Sequence, residues 1–352
     1  MSLLWNLLFA GLVAGRSFHV PEEIKNLVVF GDSYTDEGRL SYFINNNGTA
    51  PPAGYEIPAS NFTASGGYTW PHFASQILGA KTYNYAVSGA VCSNELISRY
   101  LESIDAPFPS VIDYEIPAFQ ADLKASVGNT TLFEGRDAAN TVYALWIGTN
   151  DLGVNAFLTD SQLRGSTISD FLDCIWSVFD GIYSTGGRRF VILNEAPLNV
   201  SPLYAAPENG GVGDNQYWTN KTAYNMTEIE QKMLEYTTNV NTMFAYGVPF
   251  QLLVQQRWPE ADFTIFDVHK LLLDVHVSPS RYLDAPANVT GFYHQCGDPN
   301  SEYSDCIDSS DSLGSFLWYD ELHPSSKTDE IIGSEFVKLL SGNSSYGISY
   351  KS

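Results

Sequence analysis

The chain has 352 residues, 44% of them hydrophobic and 14% aromatic, enough for a sizeable core and too apolar for a disordered segment. Forty acidic residues against 18 Lys and Arg leave a net charge of −22, which excludes a nucleic-acid binder and disfavours anionic membranes and acidic substrates. Charged residues are only 16% of the total, so surface polarity must come from Ser, Thr, Asn, Tyr and attached glycans.

Residues 3–15, LLWNLLFAGLVAG, form an apolar run too short to span a bilayer and end in small residues through Ala14 and Gly15. No basic residue precedes the run, yet its length and exit predict a secretory signal peptide over 1–17 rather than an uncleaved anchor. Residues 18–352 contain no repeat, low-complexity tract or linker and read as one domain. Asn-x-Ser/Thr sequons at Asn47, Asn61, Asn129, Asn199, Asn220, Asn225, Asn288 and Asn343 fit an extracellular glycoprotein, which is expected to be a monomer with no stable membrane association. Four cysteines suit an oxidising compartment. Cys296 and Cys306 bracket the polar loop GDPNSEYSD and are expected to staple it, which leaves Cys92 and Cys174 by elimination.

In NLVVFGDSYTDEGRL, Asn26–Leu40, the run Leu27–Phe30 reads as a buried strand that enters a sharp turn carrying Ser33. Residues 45–67 are Gly, Pro and Asn rich and predict a surface loop, and Pro71 opens a short helix over 71–79. Thr82–Val87 is a second strand ending at Ser88-Gly89-Ala90, and 111–126 carries helical spacing. Thr141–Ile147 is a third strand ending at Gly148-Thr149-Asn150-Asp151. The apolar spacing of 167–184 predicts an amphipathic helix, followed by a fourth strand, Arg189–Leu193. After a loop over 202–220 comes a long helix from Asn225, where Thr227 and Glu230 match a capping box. A second helix over 245–257, a fifth strand at Asp262–Val268, a loop-rich run from Ser278 to Trp318 and a last helix near 326–341 opening with Ser326-x-x-Asp329 complete the chain. Strands alternating with helices predict an α/β fold, a three-layer α/β/α sandwich around a flavodoxin-like five-stranded parallel sheet of order 2-1-3-4-5.

In that order Ser33, Gly89 and Asn150 leave neighbouring strand ends and converge on one crevice, with Asp320-Glu321-Leu322-His323-Pro324 just before the last helix. The residue types suit acyl transfer. His323 can activate Ser33, and Asp320, three residues away, can fix the imidazole tautomer. The Ser33 and Gly89 N–H groups and the Asn150 amide can serve as an oxyanion hole.

Four blocks carry a resemblance: Gly31-Asp32-Ser33-Tyr34, Asn84 through Ala90, Gly148-Thr149-Asn150-Asp151, and Asp320-x-x-His323-Pro324. In this order they resemble the SGNH hydrolases of the GDSL esterase/lipase superfamily, with Tyr34 where the family name has Leu. The difference implies an altered pocket behind the nucleophile. FGDSYTDEGRL is similar to secreted fungal acetylesterases of carbohydrate esterase family sixteen. That resemblance implies hydrolysis of acetyl esters on small sugars such as acetylated xylo-oligosaccharides, with no cofactor.

Competing readings are a GDSL lipase or phospholipase for longer acyl esters, which a long apolar lid would favour though the sequence shows none, and a non-catalytic sugar-binding protein, which loss of Ser33 or His323 would favour though both are intact. His72, His269, His276 and His294 have no comparable motif around them, and Asp267-x-His269 and Asp274-x-His276 lack the HExxH or Cys/His setting of a metal site. Neither a nucleotide-binding glycine loop nor a GxSxG elbow is present. Asp32, Asp36 and Glu37 read as surface-loop carboxylates, with Asp36 and Glu37 ordering the loop behind Ser33, rather than a glycosidase pair. Of Trp70, Trp146, Trp258 and Trp318, the last is the candidate pocket wall.

Overall fold

The computed structural model describes residues 23–127, 130–297 and 306–352. Six strands form its central sheet: β1 (Asn26–Gly31), β2 (Lys81–Asn84), β3 (Thr141–Trp146), β4 (Arg189–Leu193), β5 (Asp262–Phe266) and β6 (Gly347–Lys351). The main helices are α1 (Arg39–Asn45), α2 (Trp70–Leu78), α3 (Ile116–Asp122), α4 (Ile168–Tyr183), α5 (Met226–Pro249), α6 (Val268–Val277) and α7 (Ser326–Leu340).

Every residue of β1, β3 and β4 is buried. Side chains alternate between the faces of a strand, so burial at every position means that helices cover both faces. This is the three-layer α/β arrangement. The strand order is β2-β1-β3-β4-β5-β6, parallel from β2 to β5. Val29 pairs with Asn84 on one side and Ala144 on the other. The chain therefore reverses direction of winding between β1 and β3, and the crevice beyond their carboxyl ends receives three turns from β1, β2 and β3.

The expected five parallel strands are extended by a sixth, antiparallel one. In β6, Ile348 pairs with Ile265 and Tyr350 with Phe263, covering the β5 edge. The second strand ends at Asn84 rather than Val87, although the N–H groups of Tyr85 and Val87 still donate to Val29 and Gly31 across the sheet. Residues 111–126 open with a π turn, Val111–Glu115, before α3, and the long helix runs on to Pro249 before a second π turn, Phe250–Val254.

Helices α1 and α6 cover residues for which the sequence predicts no element, touching the expected loop only at Asn45 and the expected fifth strand only at Val268. The first has no cap of its own at Gly38 and is started by Asp36, whose carboxylate accepts the N–H groups of Gly38, Arg39 and Leu40. Asp267 caps α6 by accepting from Lys270 N. At α4 the capping box is complete between Thr167 and Asp170. At α5 it is not. Glu230 instead accepts from Ala206 N at 2.6 Å and from Asn209, because the buried Ala206 N–H requires an acceptor. The cap of α7 is Ser325, one residue earlier than expected, and Ser326 Oγ donates to Tyr68 O, tying α7 to the start of α2. Trp70 and Phe336 seal that seam with ring centroids 4.8 Å apart. Disulfides join Cys92 to Cys174 and Cys296 to Cys306.

Candidate active site

The turn after β1 is shaped by close strand contact. Gly31 has φ +144°, and a Cβ there would lie 2.0 Å from Trp146 O on β3, so any side chain would force the two central strands apart. Asp32 O accepts from Thr35 and Asp36 N, and Asp32 Oδ1 accepts from Tyr34 N at 3.0 Å. From the other side, Glu115 Oε2 accepts Gly31 N at 3.0 Å. The closed turn presents Ser33 to the crevice.

A second tight turn supplies the imidazole. Asp320 Oδ1 accepts the N–H groups of Leu322 and His323 at 2.9 and 2.8 Å, and Tyr319 N donates to His323 O. The ring thereby stands against the carboxylate, with Nδ1 at 2.9 Å from both Asp320 oxygens, and Nε2 at 2.8 Å from Ser33 Oγ. A proton on Nδ1 satisfies the carboxylate and leaves the Nε2 lone pair facing the serine hydroxyl. Burial pulls the His323 pKa down, but the Asp320 charge and hydrogen bond outweigh it, so the ring stands above the ordinary histidine value. Burial pushes Asp320 up, and the charge and hydrogen bonds of the same turn hold it below the ordinary carboxylate range.

The other two turns reach the same place. Asn150 Nδ2 donates to Ala90 O at 2.9 Å and lies 3.5 Å from Asp32 Oδ2, fastening the β3 turn to the β2 turn. Gly89 takes φ +86°, and a Cβ would meet Phe108 at 2.6 Å. Among the described residues neither Ser33 N–H nor Gly89 N–H has a protein acceptor. Both are therefore available to a ligand. Asp36, which starts α1, also accepts Ser88 N at 2.8 Å and so links the first turn to the second.

Acidic side chains crowd beneath these turns. Asp151 accepts Cys92 N at 2.9 Å, and burial pushes it and Asp32 up to about 7. Glu195, fully buried, is pushed well above the ordinary range by desolvation, with Asp151 and Asp32 adding to it. Arg99 answers this charge: its guanidinium donates to Gly89 O and faces Asp151 and Asp32. Asp32, Asp36 and Glu37 are thus buried, not surface-loop groups. Glu37 accepts from Thr69 N and Oγ1 and burial raises it to about 7.

Tyr34 does not line a pocket. Its ring is buried edge-on against Trp146 and His323, and its hydroxyl donates to Leu322 O at 2.9 Å, supporting the histidine turn from behind. Trp318, expected as a pocket wall, is fully buried like Trp70 and Trp258. The rival histidines stay apart from Ser33: His72 stacks on Tyr68, His269 Nδ1 meets Glu195 O, His276 is half-buried, and His294 pairs with Asp308. His294 lies close to Cys296 and Cys306, but the disulfide removes the thiolates a metal would need. Sequence motifs missed Arg99, Glu115, Glu195 and Tyr217. Arg99 alone offered a signal, as one of few cations in an acidic chain. Asn47, Asn61, Asn220, Asn225 and Asn343 are exposed, Asn199 and Asn288 are half-buried, and Asn129 and residues 1–17 lie outside the described residues.

The family described as GDSL-like Lipase/Acylhydrolase matches residues 27–336. The chain belongs to this GDSL-like family. A relative named acetylesterase, from Hypocrea jecorina, is 49% identical over 326 residues, 93% of this chain and 91% of its own. Another acetylesterase, from Thermothelomyces thermophilus, is 28% identical over 53% of this chain and 59% of its own. A GDSL esterase/lipase from Arabidopsis thaliana is 21% identical over 97% of both. Among solved structures, an acetyl xylan esterase variant from Geobacillus stearothermophilus is 12% identical, covers 93% of this chain and 98% of its own, and has a TM-score of 0.39. This GDSL-like protein is a carboxylic ester hydrolase. Among its described residues no helix is long and apolar enough to cross a membrane.

Proposed function

We propose that the protein is a secreted serine esterase that removes acetyl groups from small carbohydrate esters such as acetylated xylo-oligosaccharides. The observation that carries the mechanism is the unbroken chain Ser33 Oγ, His323 Nε2, His323 Nδ1, Asp320, with hydrogen-bond distances of 2.8 and 2.9 Å. The acetyl preference is supported by the two fungal relatives named acetylesterase.

His323 takes the Ser33 proton as Oγ attacks the ester carbonyl, and Asp320 stabilises the imidazolium that forms. The Ser33 and Gly89 N–H groups hold the developing oxyanion, joined by the Asn150 amide hydrogen that turns to it from its long 3.5 Å contact with Asp32 Oδ2. Collapse of the intermediate expels the sugar alkoxide, which receives the proton from His323. Water then loses a proton to the same ring, attacks the acetyl-serine and releases acetate, and Oγ recovers its proton. The reading requires no metal or organic cofactor. A leader over 1–17 and glycans on the exposed sequons fit an extracellular enzyme of one domain.

The test measures acetate released from acetylated xylo-oligosaccharides beside hydrolysis of short- and long-chain aryl esters, for the wild type and Ser33→Ala. Acetate release lost in the variant, by about 10⁴-fold or more, with little long-chain activity is the expected result. Activity surviving in Ser33→Ala removes the nucleophile. Preference for long chains makes the protein a lipase, and inactivity on every ester leaves a sugar-binding protein.

A further inference from the structure

The loop between β4 and α5 places a side chain on the Asp320–His323 turn. Residues Asn215 to Trp218 form a small closed unit in which Asn215 Oδ1 accepts from Tyr217 N and Trp218 N at 2.9 and 3.1 Å. Trp218 is buried and anchors this unit against Tyr204 and Tyr224. The loop is fastened to the Asp320–His323 turn at two further points, because Gln216 Nε2 donates to Glu321 Oε2 at 3.0 Å and Leu203 N donates to Glu321 O at 2.7 Å. Between these ties Tyr217 reaches the site itself. Its hydroxyl donates to Asp320 Oδ2 at 2.7 Å and lies 3.3 Å from His323 Nδ1, and its ring meets the imidazole at 62° with centroids 5.5 Å apart.

The donor inventory around Asp320 gives this contact its meaning. Every other hydrogen bond to that carboxylate comes from Leu322 and His323, within the same four-residue turn. Tyr217 is the one donor from outside it among the described residues. A phenol has a single proton, and it is committed to Oδ2, so the phenol oxygen facing Nδ1 can only accept. Both neighbours of Nδ1, carboxylate and phenol, therefore demand a proton there. That forces the tautomer whose Nε2 lone pair points at Ser33.

We propose that Tyr217 is a positioning residue for proton transfer between Ser33 and His323, holding Asp320 and the imidazole tautomer and setting the pH at which the ring becomes protonated. The proposal rests on the Ser33–His323–Asp320 reading above. A carboxylate that shares its charge with a phenol proton attracts the imidazolium less strongly than a free one. Removing the hydroxyl returns that charge to the imidazolium, so the His323 pKa rises.

The experiment is a pH profile of kcat and kcat/KM on 4-nitrophenyl acetate for the full chain and for Tyr217→Phe, Gln216→Ala and Ser33→Ala. In Tyr217→Phe the ring and its packing stay. The expected result is a kcat about tenfold lower, a KM within about twofold, and an acid limb of kcat/KM moved upward by about half to one pH unit. Asp32 and Glu321 also face the ring with their charge, and Gln216→Ala, which loosens the loop and releases Glu321 without touching Asp320, is expected to leave the limb in place or move it down. An unmoved limb in Tyr217→Phe, a downward shift, or an equal shift in Gln216→Ala overturns the assignment and makes the tyrosine a packing residue. Loss of activity in Ser33→Ala keeps the underlying triad standing in each of those cases. Retention of activity there overturns both.

Discussion

Asp151 offers a quantitative test of the acidic crowd beneath the site. It is fully buried, accepts a single N–H from Cys92, and holds its proton up to about 7 against an ordinary value of 3.8. The dominant cause is desolvation of the charged form, which Asp32 reinforces. An unfolded chain loses this proton near its ordinary value, and the folded chain keeps it until near neutrality. Between those values the unfolded state binds fewer protons, so stability must fall as pH rises and level off above the folded pKa. The whole displacement is worth about 4 kcal/mol, of which about 2–3 kcal/mol falls between pH 5 and pH 8. For a chain of this size that corresponds to roughly 4 °C in Tm. Asp151→Asn keeps the oxygen that Cys92 N requires and removes the titration. Thermal and urea unfolding at pH 5 and pH 8 should show a wild type less stable at the higher pH, and a variant whose profile is flatter by about that amount and which is the more stable protein at pH 8. A wild type with level stability over this range, or a variant that keeps the full wild-type slope, would refute the account of a desolvated acid.

Two further outcomes follow from the turns around Ser33. Asn150→Ala, which deletes the amide that reaches toward the oxyanion position, is expected to lower kcat by about 10²–10³-fold with little change in KM, measured on a short aryl ester; a near-normal rate would remove the amide from the oxyanion hole. Asp36→Ala leaves four backbone N–H groups, those of Gly38, Arg39, Leu40 and Ser88, without their acceptor, and should cost about 3 kcal/mol or more in urea unfolding at neutral pH. A loss under about 1 kcal/mol would mean that water replaces the carboxylate at little cost.

The strands that deliver the site were legible because their signal is local and redundant. Within these strands the runs LVVF and VYALW are apolar without interruption, as suits a strand covered on both faces, and each leads into a glycine turn. Ser33, Gly89 and Asn150 could be placed together from strand order, whereas Asp320 and His323 joined them only through the motif just before the last helix. What escaped was set by tertiary demand. The helix at Arg39–Asn45 is started by Asp36 from outside its own span, and Glu230 leaves its capping box to serve a buried amide in another loop. Tyr217 sits in a loop whose composition promises nothing, and its role comes from a partner 103 residues away. Asp32, Asp36 and Glu37 read as surface groups for a related reason: in so acidic a chain, composition hides the few carboxylates that are buried, although the expected ordering of the loop behind Ser33 by Asp36 and Glu37 is what their backbone hydrogen bonds do.

Ser33 and His323 are 290 residues apart in the chain and share one hydrogen bond. Contacts of such separation form late, because closing so long a loop loses entropy that only the assembled sheet and the seam between α2 and α7 offset. On the proposed mechanism, a growing or partly folded chain can complete β1 and its turn and still carry an inert alcohol, since His323 arrives just before the last helix. Chemical competence is thus latent until the topology is finished. Ester turnover during refolding accordingly reports closure of the whole molecule, whereas far-ultraviolet ellipticity reports helices and strands that can form before it.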